Sequence, residues 1–165
     1  MSAARRLKLP ALLLGVALAG CTPPYIDEAW LPFAKDYYTG CAREACPIAL
    51  EAMSLDQLYA VHLYGRRFHP WRGMSGEFAR RGAAAVPYLR TKLAAARDGG
   101  EVGSIFEAFQ AMRRSGTFEP RSDAVLIAAI REAASRVKDP GHYLRDQAEE
   151  IATGEPGSSG VRVEK

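Results

Sequence analysis

The second half of this chain carries apolar residues every three or four positions, and this spacing constrains the fold more than any other feature. The clearest apolar stripe is formed by Val102, Ile105, Phe106, Phe109 and Met112. Such a period places the side chains on one face of a helix. Further stripes are Val86, Leu89 and Leu93; Leu126, Ile127, Ile130 and Val137; and Leu144, Ala148 and Ile151. The sequence therefore predicts an all-α fold of antiparallel helical hairpins.

Turn and capping residues divide these stripes into separate helices. Breaks are expected at Asp98-Gly99-Gly100, Gly116, Ser122 or Asp123, Asp139-Pro140 and Gly154. Helical signals begin after Pro47. Ser54 and Gln57 form a capping box for a helix that Gly65 can end. A short helix from Ser75 to Arg81 is expected to stop at Gly82.

Four of the predicted helices repeat one hairpin. A shift of 41 residues places Val86 on Ile127 and Leu89 on Ile130. The period and the antiparallel pairing resemble HEAT-like repeats, whose units run roughly 40–47 residues. That resemblance implies hairpins stacked side by side, with the helices between residues 47 and 81 as a third layer or cap. An irregular helical bundle is the alternative.

The N-terminus has the three-part form of a secretory signal peptide. Arg5, Arg6 and Lys8 precede an apolar run from Ala11 to Ala17. A membrane-spanning helix needs about 20 apolar residues, so this run is too short for a transmembrane anchor.

The residues that close this segment, Leu18-Ala19-Gly20-Cys21, resemble the lipobox of bacterial lipoproteins. The resemblance implies cleavage before Cys21 and lipidation of its thiol and new amine. Thr22 follows, where aspartate usually marks retention in the inner membrane. The resemblance therefore implies an anchor at the periplasmic face of the outer membrane of a Gram-negative bacterium.

These features divide the chain into four parts. Residues 1–20 are the signal peptide, and residues 21–46 hold the lipidated end, a short Thr-Pro-Pro tether and an aromatic segment. Residues 47–154 are the helical domain, and residues 155–165 form a tail predicted to be disordered. The aromatic segment could meet the membrane interface or pack onto the helices.

Cys41 and Cys46 remain once Cys21 is assigned to lipid. In an oxidising compartment a disulfide between them is the natural expectation. The alternative is a redox or metal site, but four intervening residues do not match the C-x-x-C pattern.

The charge pattern is uneven along the chain. The formal net charge of +3 becomes zero when residues 1–20 are removed, so it gives no argument for nucleic-acid binding. Residues 61–97 carry eight basic residues against Glu77 alone, a net charge of +7, while both flanks are acidic. This basic middle could pair with the flanks or meet an anionic partner.

The most plausible binding surface lies within this basic middle, where arginines alternate with aromatic residues. The predicted partner-binding residues are Arg66, Arg67, Trp71, Arg80 and Arg81. His62, His69 and His142 lie far apart in the sequence and lack metal-ligand spacing, so neither a metal site nor a cofactor is predicted. His62 lies near an apolar helix face and is expected to be a hydrogen-bonded core residue.

Three hypotheses of function follow. The first is a non-enzymatic adaptor or assembly factor that binds an envelope protein partner. The second is an envelope hydrolase acting on peptidoglycan or lipid, with His62 or His69 as general base. The third is a purely structural lipoprotein.

Overall fold

The computed structural model describes residues 26–41, 48–68, 74–138 and 142–155. Within these ranges the chain forms α-helices and short 3-10 turns, with no β-strand, so the predicted all-α class is confirmed. The α-helices are α1 (Leu31–Cys41), α2 (Leu55–Phe68), α3 (Ser75–Arg81), α4 (Val86–Ala95), α5 (Gly99–Ser115), α6 (Ala124–Arg136) and α7 (Tyr143–Thr153). The 3-10 turns are Leu50–Ala52, Gly82–Ala85 and Pro120–Ser122.

Side-chain caps fix the helix starts where the sequence predicts them. The amide of Ser54 donates to the Gln57 carboxamide, and the amide of Gln57 donates back to the Ser54 hydroxyl. Asp98 accepts from two amides in the first turn of α5, and Asp123 accepts from the Leu126 amide at 2.9 Å. These bonds satisfy N–H groups that a helix start leaves without an intrahelical partner.

Glycines end the helices at two predicted positions that require positive φ. Gly82 follows α3 with φ of 55°, and Gly116 follows α5 with φ of 69°. Only glycine adopts this region at little cost, so the chain can turn sharply at both points. The predicted bounds of α3 are confirmed at both ends.

Helical structure differs from the prediction in two places. The helix α1 lies before Pro47, within the predicted aromatic segment, and it packs against α2. Gly65 does not end α2, which continues to Phe68 with Gly65 buried. A helix-interior glycine costs about 1 kcal/mol, which burial of the surrounding apolar face can offset.

The aromatic segment packs onto the helices, as one of the two interpretations predicted. Tyr37 and Tyr38 are buried, while Trp30 and Phe33 are half-buried against the same core. Ile26 is also buried, so the body begins only five residues after Cys21. Tyr25 lies outside the described residues.

The helix α5 is the centre of the molecule. It contacts α2, α3, α4, α6 and α7, and it is buried along most of its length. The predicted stripe on α5 is fully buried, as are Leu89 and Leu93 of α4 and Leu126 and Ile130 of α6. One continuous apolar core therefore joins the predicted hairpins to the N-terminal helices.

The two predicted hairpins lie side by side. The first helices of the two, α4 and α6, contact each other, and so do the second helices, α5 and α7. Gly99 and Gly103 of α5 pack beside Leu144 of α7, where a Cβ at either position would lie 3.4 Å from the Leu144 side chain.

Several predictions fall outside the described residues. These are the signal peptide 1–20, lipidation of Cys21, and the tail beyond residue 155. The side chain of Cys41 and the whole of Cys46 also lie outside them, so the predicted disulfide has no structural account.

Candidate functional site

Arg66, one of the predicted partner-binding residues, forms an internal ion pair. Its guanidinium donates to the carboxylate of Glu107, which joins α2 to α5. Burial raises the pKa of Glu107, while the positive charges of Arg66 and Arg114 oppose that rise. The Arg66 side chain is 31% exposed, so its main contact is within the protein.

Arg80 and Arg81 share one buried carboxylate. Glu77 lies one turn earlier on α3 with a side chain only 3% exposed, and both guanidinium groups donate to it. Arg81 also donates to the backbone carbonyl of Leu50 at 3.0 Å. It thereby ties α3 to the 3-10 turn at Leu50–Ala52.

The two arginines differ in accessibility. The Arg81 side chain is 21% exposed, whereas that of Arg80 is 66% exposed. One carboxylate faces two cations, so the group carries a net positive charge, and Arg80 presents that charge to solvent.

Arg80 lies at the edge of a groove between α3 and the C-terminal end of α5. The groove encloses about 470 Å³. Its lining residues are Ser75, Gly76, Ala79, Arg80, Ala111, Arg114, Ser115 and Thr117. Small side chains on the two facing helices leave this space open, because none of them reaches across it.

Arg114 is the second cation of the groove. It is exposed on α5, and no described residue forms an ion pair with it. On the same side of the groove, the Ser115 and Thr117 hydroxyls donate to the Met112 carbonyl. Two arginines from facing helices therefore line one trough, and no sequence signal pointed to Arg114.

Three of the described cations in the basic middle pair with carboxylates of the acidic flanks. Besides Arg66, Lys92 lies 3.3 Å from Asp56, and Arg90 lies 3.9 Å from Asp123. The Arg97 guanidinium instead donates to backbone carbonyls at the end of α4. Most of the described cations in the basic middle therefore make internal contacts.

Two predicted partner-binding side chains have no structural account. The side chain of Arg67 and the whole of Trp71 lie outside the described residues, as does His69. His142 is exposed before α7, far along the chain from His62.

His62 is a buried core residue, as predicted. Its Nδ1 accepts from the Met74 amide at 3.0 Å, and its Nε2 lies 3.0 Å from the Ser104 carbonyl oxygen. Burial lowers the pKa of His62 to about 4, so the ring is neutral at neutral pH. Both ring nitrogens are engaged, and this arrangement does not suit a general base for a bound substrate.

A second polar cluster joins α2, α4 and α5. Tyr59 donates to Glu101 at 2.8 Å, and Tyr88 donates to Asp56 at 2.8 Å. The Lys92 ammonium lies 5.4 and 5.1 Å from the centres of the two tyrosine rings. Burial raises the pKa of Glu101, and its bond to Tyr59 opposes that rise.

This cluster borders a pocket of about 170 Å³ that Ile26, Asp27 and Trp30 close from the N-terminal side. Its charged groups already contact one another, so the cluster is suited to holding the three helices together. Tyr59, Lys92 and Glu101 lie far apart along the chain, so no local sequence pattern predicts this cluster.

The described residues hold no group of three or more His, Cys, Asp or Glu side chains arranged to share a metal ion. Every described helix is too short or too polar to cross a lipid bilayer.

Comparison with known proteins adds no relative to this description. No protein-family model, curated protein or solved structure matches this chain.

Proposed function

We propose that this protein is a lipid-anchored adaptor of the bacterial envelope, held at the periplasmic face of the outer membrane through Cys21. The observation that carries the proposal is the sequence Leu18-Ala19-Gly20-Cys21 after a basic and then apolar start. Each buried methylene of an acyl chain contributes about 0.8 kcal/mol, and more than one chain gives stable anchoring.

The start of the helical body supports this arrangement. Ile26 is buried five residues after Cys21, and five extended residues span at most about 18 Å. The anchor would therefore hold the body close to the bilayer, with the segment around Ile26 and Trp30 on the membrane side.

The helical body itself supports a binding role. Stacked helical hairpins of the HEAT-like kind present extended surfaces, and such surfaces bind other proteins. The pairing of α4 with α6 and of α5 with α7 is the arrangement that such stacking requires. Among the described residues, the α3–α5 groove offers about 470 Å³ and has the exposed Arg80 and Arg114 in its lining.

Replacing Cys21 with serine tests the anchor. We expect wild-type protein to fractionate with the outer membrane and the C21S variant to leave it, with a matching loss of acyl mass. A Cys46→Ala variant is the control, because it removes a thiol without touching the lipobox. Envelope fractionation of C21S with no missing acyl mass would contradict the proposal.

A further inference from the structure

We infer that the groove between α3 and the C-terminal end of α5 binds an acidic segment of a partner protein. This inference rests on the proposed adaptor function and gives that function a site and a ligand chemistry. It depends on three properties of the groove: its accessible positive charge, its shape and its position.

The charge of the groove comes from arginines that internal contacts leave accessible. Arg80 is two-thirds exposed and shares its carboxylate with Arg81, while Arg114 has no ion pair among the described residues. The guanidinium group presents a planar set of donors that matches a carboxylate. Two such groups on facing helices suit a segment that carries two or more carboxylates.

The shape of the groove suits a polypeptide. Gly76 and Ala79 face Ala111 across it, so the trough lies between two helix backbones with little side-chain bulk. The Ser115 and Thr117 hydroxyls, which already donate to the Met112 carbonyl, can still accept from peptide N–H groups, and Ser75 adds a third hydroxyl. Among the described residues, its lining contains no large apolar side chain that could insert into a bilayer.

The position of the groove favours a protein over a lipid headgroup. Ile26 and Trp30 meet Glu101, near the start of α5, whereas Arg114 lies near its end. A helix rises 1.5 Å per residue, so these positions are about 20 Å apart along α5. The groove therefore lies about 20 Å along α5 from the segment that the proposed anchor places on the membrane side.

Direct binding tests the charge requirement. The full-length chain in detergent micelles would be titrated against a fluorescent peptide of alternating Glu and Ala, with a Gln-for-Glu peptide as reference. We expect R80E/R114E to weaken binding of the acidic peptide about tenfold or more. R145E is the matched control, because Arg145 is exposed on α7 outside the groove, and it should change affinity less than twofold.

A second double variant tests whether a loss of binding comes from misfolding. A glutamate at position 80 would face the buried Glu77, so R80Q/R114Q should show the same loss with unchanged helical circular dichroism. Equal peptide affinity in the wild type and both double variants would overturn the inference, and so would an equal loss in R145E.

Vesicles of phosphatidylethanolamine and phosphatidylglycerol test whether the groove binds lipid instead. The inference would also be overturned if binding to these vesicles depended on the two arginines and binding to the peptide did not.

Crosslinking in cells separates this inference from the adaptor proposal. A photoreactive phenylalanine would replace Ser75 in the groove or Val125, which is 66% exposed on α6. We expect an adduct at Ser75 that R80Q/R114Q removes, and its crosslinked peptide should be rich in Asp and Glu. An envelope protein captured only at Val125 would overturn the groove inference and leave the adaptor function standing. Adducts at neither position would count against both.

Discussion

The backbone amide of Met74 donates to Nδ1 of His62 across 3.0 Å. Because Nδ1 accepts this bond, the ring proton lies on Nε2, which donates to the Ser104 carbonyl. One neutral side chain thus connects α2, the start of α3 and α5. The Phe78 ring also packs edge-on against the imidazole, with ring centres 5.6 Å apart.

Removing this imidazole should destabilise the fold. H62A leaves the Met74 amide without its acceptor, removes a second bond to the Ser104 carbonyl, and opens a cavity. We expect the free energy of unfolding to fall by about 3 kcal/mol or more in urea titrations at pH 7. H142N is the control, since His142 is exposed and asparagine tolerates its positive φ. Equal losses in both variants would contradict this role for His62.

The lowered pKa of His62 predicts a loss of stability in acid. The unfolded histidine takes up its proton near pH 6.5, whereas the folded one does so only at about pH 4. Stability is therefore complete above pH 6.5 and falls towards pH 4, by up to about 3 kcal/mol.

A variant isolates this contribution from other groups. Burial raises the pKa values of Glu101 and Glu107, so those carboxyl groups stabilise the fold on acidification and oppose His62. The stability of wild type and H62Q would be compared by thermal unfolding from pH 7 to pH 4. Both proteins contain the same carboxyl groups, so the difference in stability between them isolates the contribution of His62. A difference that stays constant over that range would refute the assignment.

Arg80 and Arg81 should both stabilise the fold through the buried Glu77. Arg80 donates to the Glu77 carboxylate at 2.7 Å, and Arg81 donates to it at 3.3 Å and to the Leu50 carbonyl at 3.0 Å. Removing either partner leaves the buried carboxylate less well satisfied, so R80A and R81A should each cost about 1–2 kcal/mol of stability. Chemical denaturation of both variants checks this, and an unchanged stability in either variant would contradict a role for that arginine in holding Glu77.

Two glycines of the α3 region should respond oppositely to alanine. Gly82 has positive φ, and a Cβ there would lie 3.3 Å from the Thr117 carbonyl oxygen, so G82A should cost about 1–3 kcal/mol. A Cβ at Gly76 meets nothing within 4 Å, so G76A should stabilise α3 by up to about 1 kcal/mol. Melting temperatures of the two variants provide the measurement, and shifts of the same sign would contradict this explanation.

The sequence predicted those parts of the fold that local chemistry decides. The capping pair Ser54 and Gln57, the Asp98 and Asp123 caps and the Gly82 stop act within a few residues, so their signals are readable. The prediction misses helix α1 although the Asp27 carboxylate accepts from the Ala29 amide just before it, because the apolar face of α1 is fixed by packing on α2. Gly65 misled the prediction of the α2 end because its burial overrides its low helix propensity.

The candidate site could be predicted only in part. Arg80 was chosen from its place in a basic, aromatic segment, and it does border the groove. Arg114 lies 34 positions further along the chain, so only folding brings it beside Arg80. Arg66 and Arg81 carry the same sequence signal as Arg80, but Glu107 and the Leu50 carbonyl bind them internally.

The central place of α5 has a consequence for how the protein unfolds. Longer stacks of helical units can lose one end while the rest persists, because each unit touches only its neighbours. Here one helix contacts five others, so no hairpin can detach without exposing the Phe106 and Phe109 side chains. The body should therefore melt in a single cooperative step.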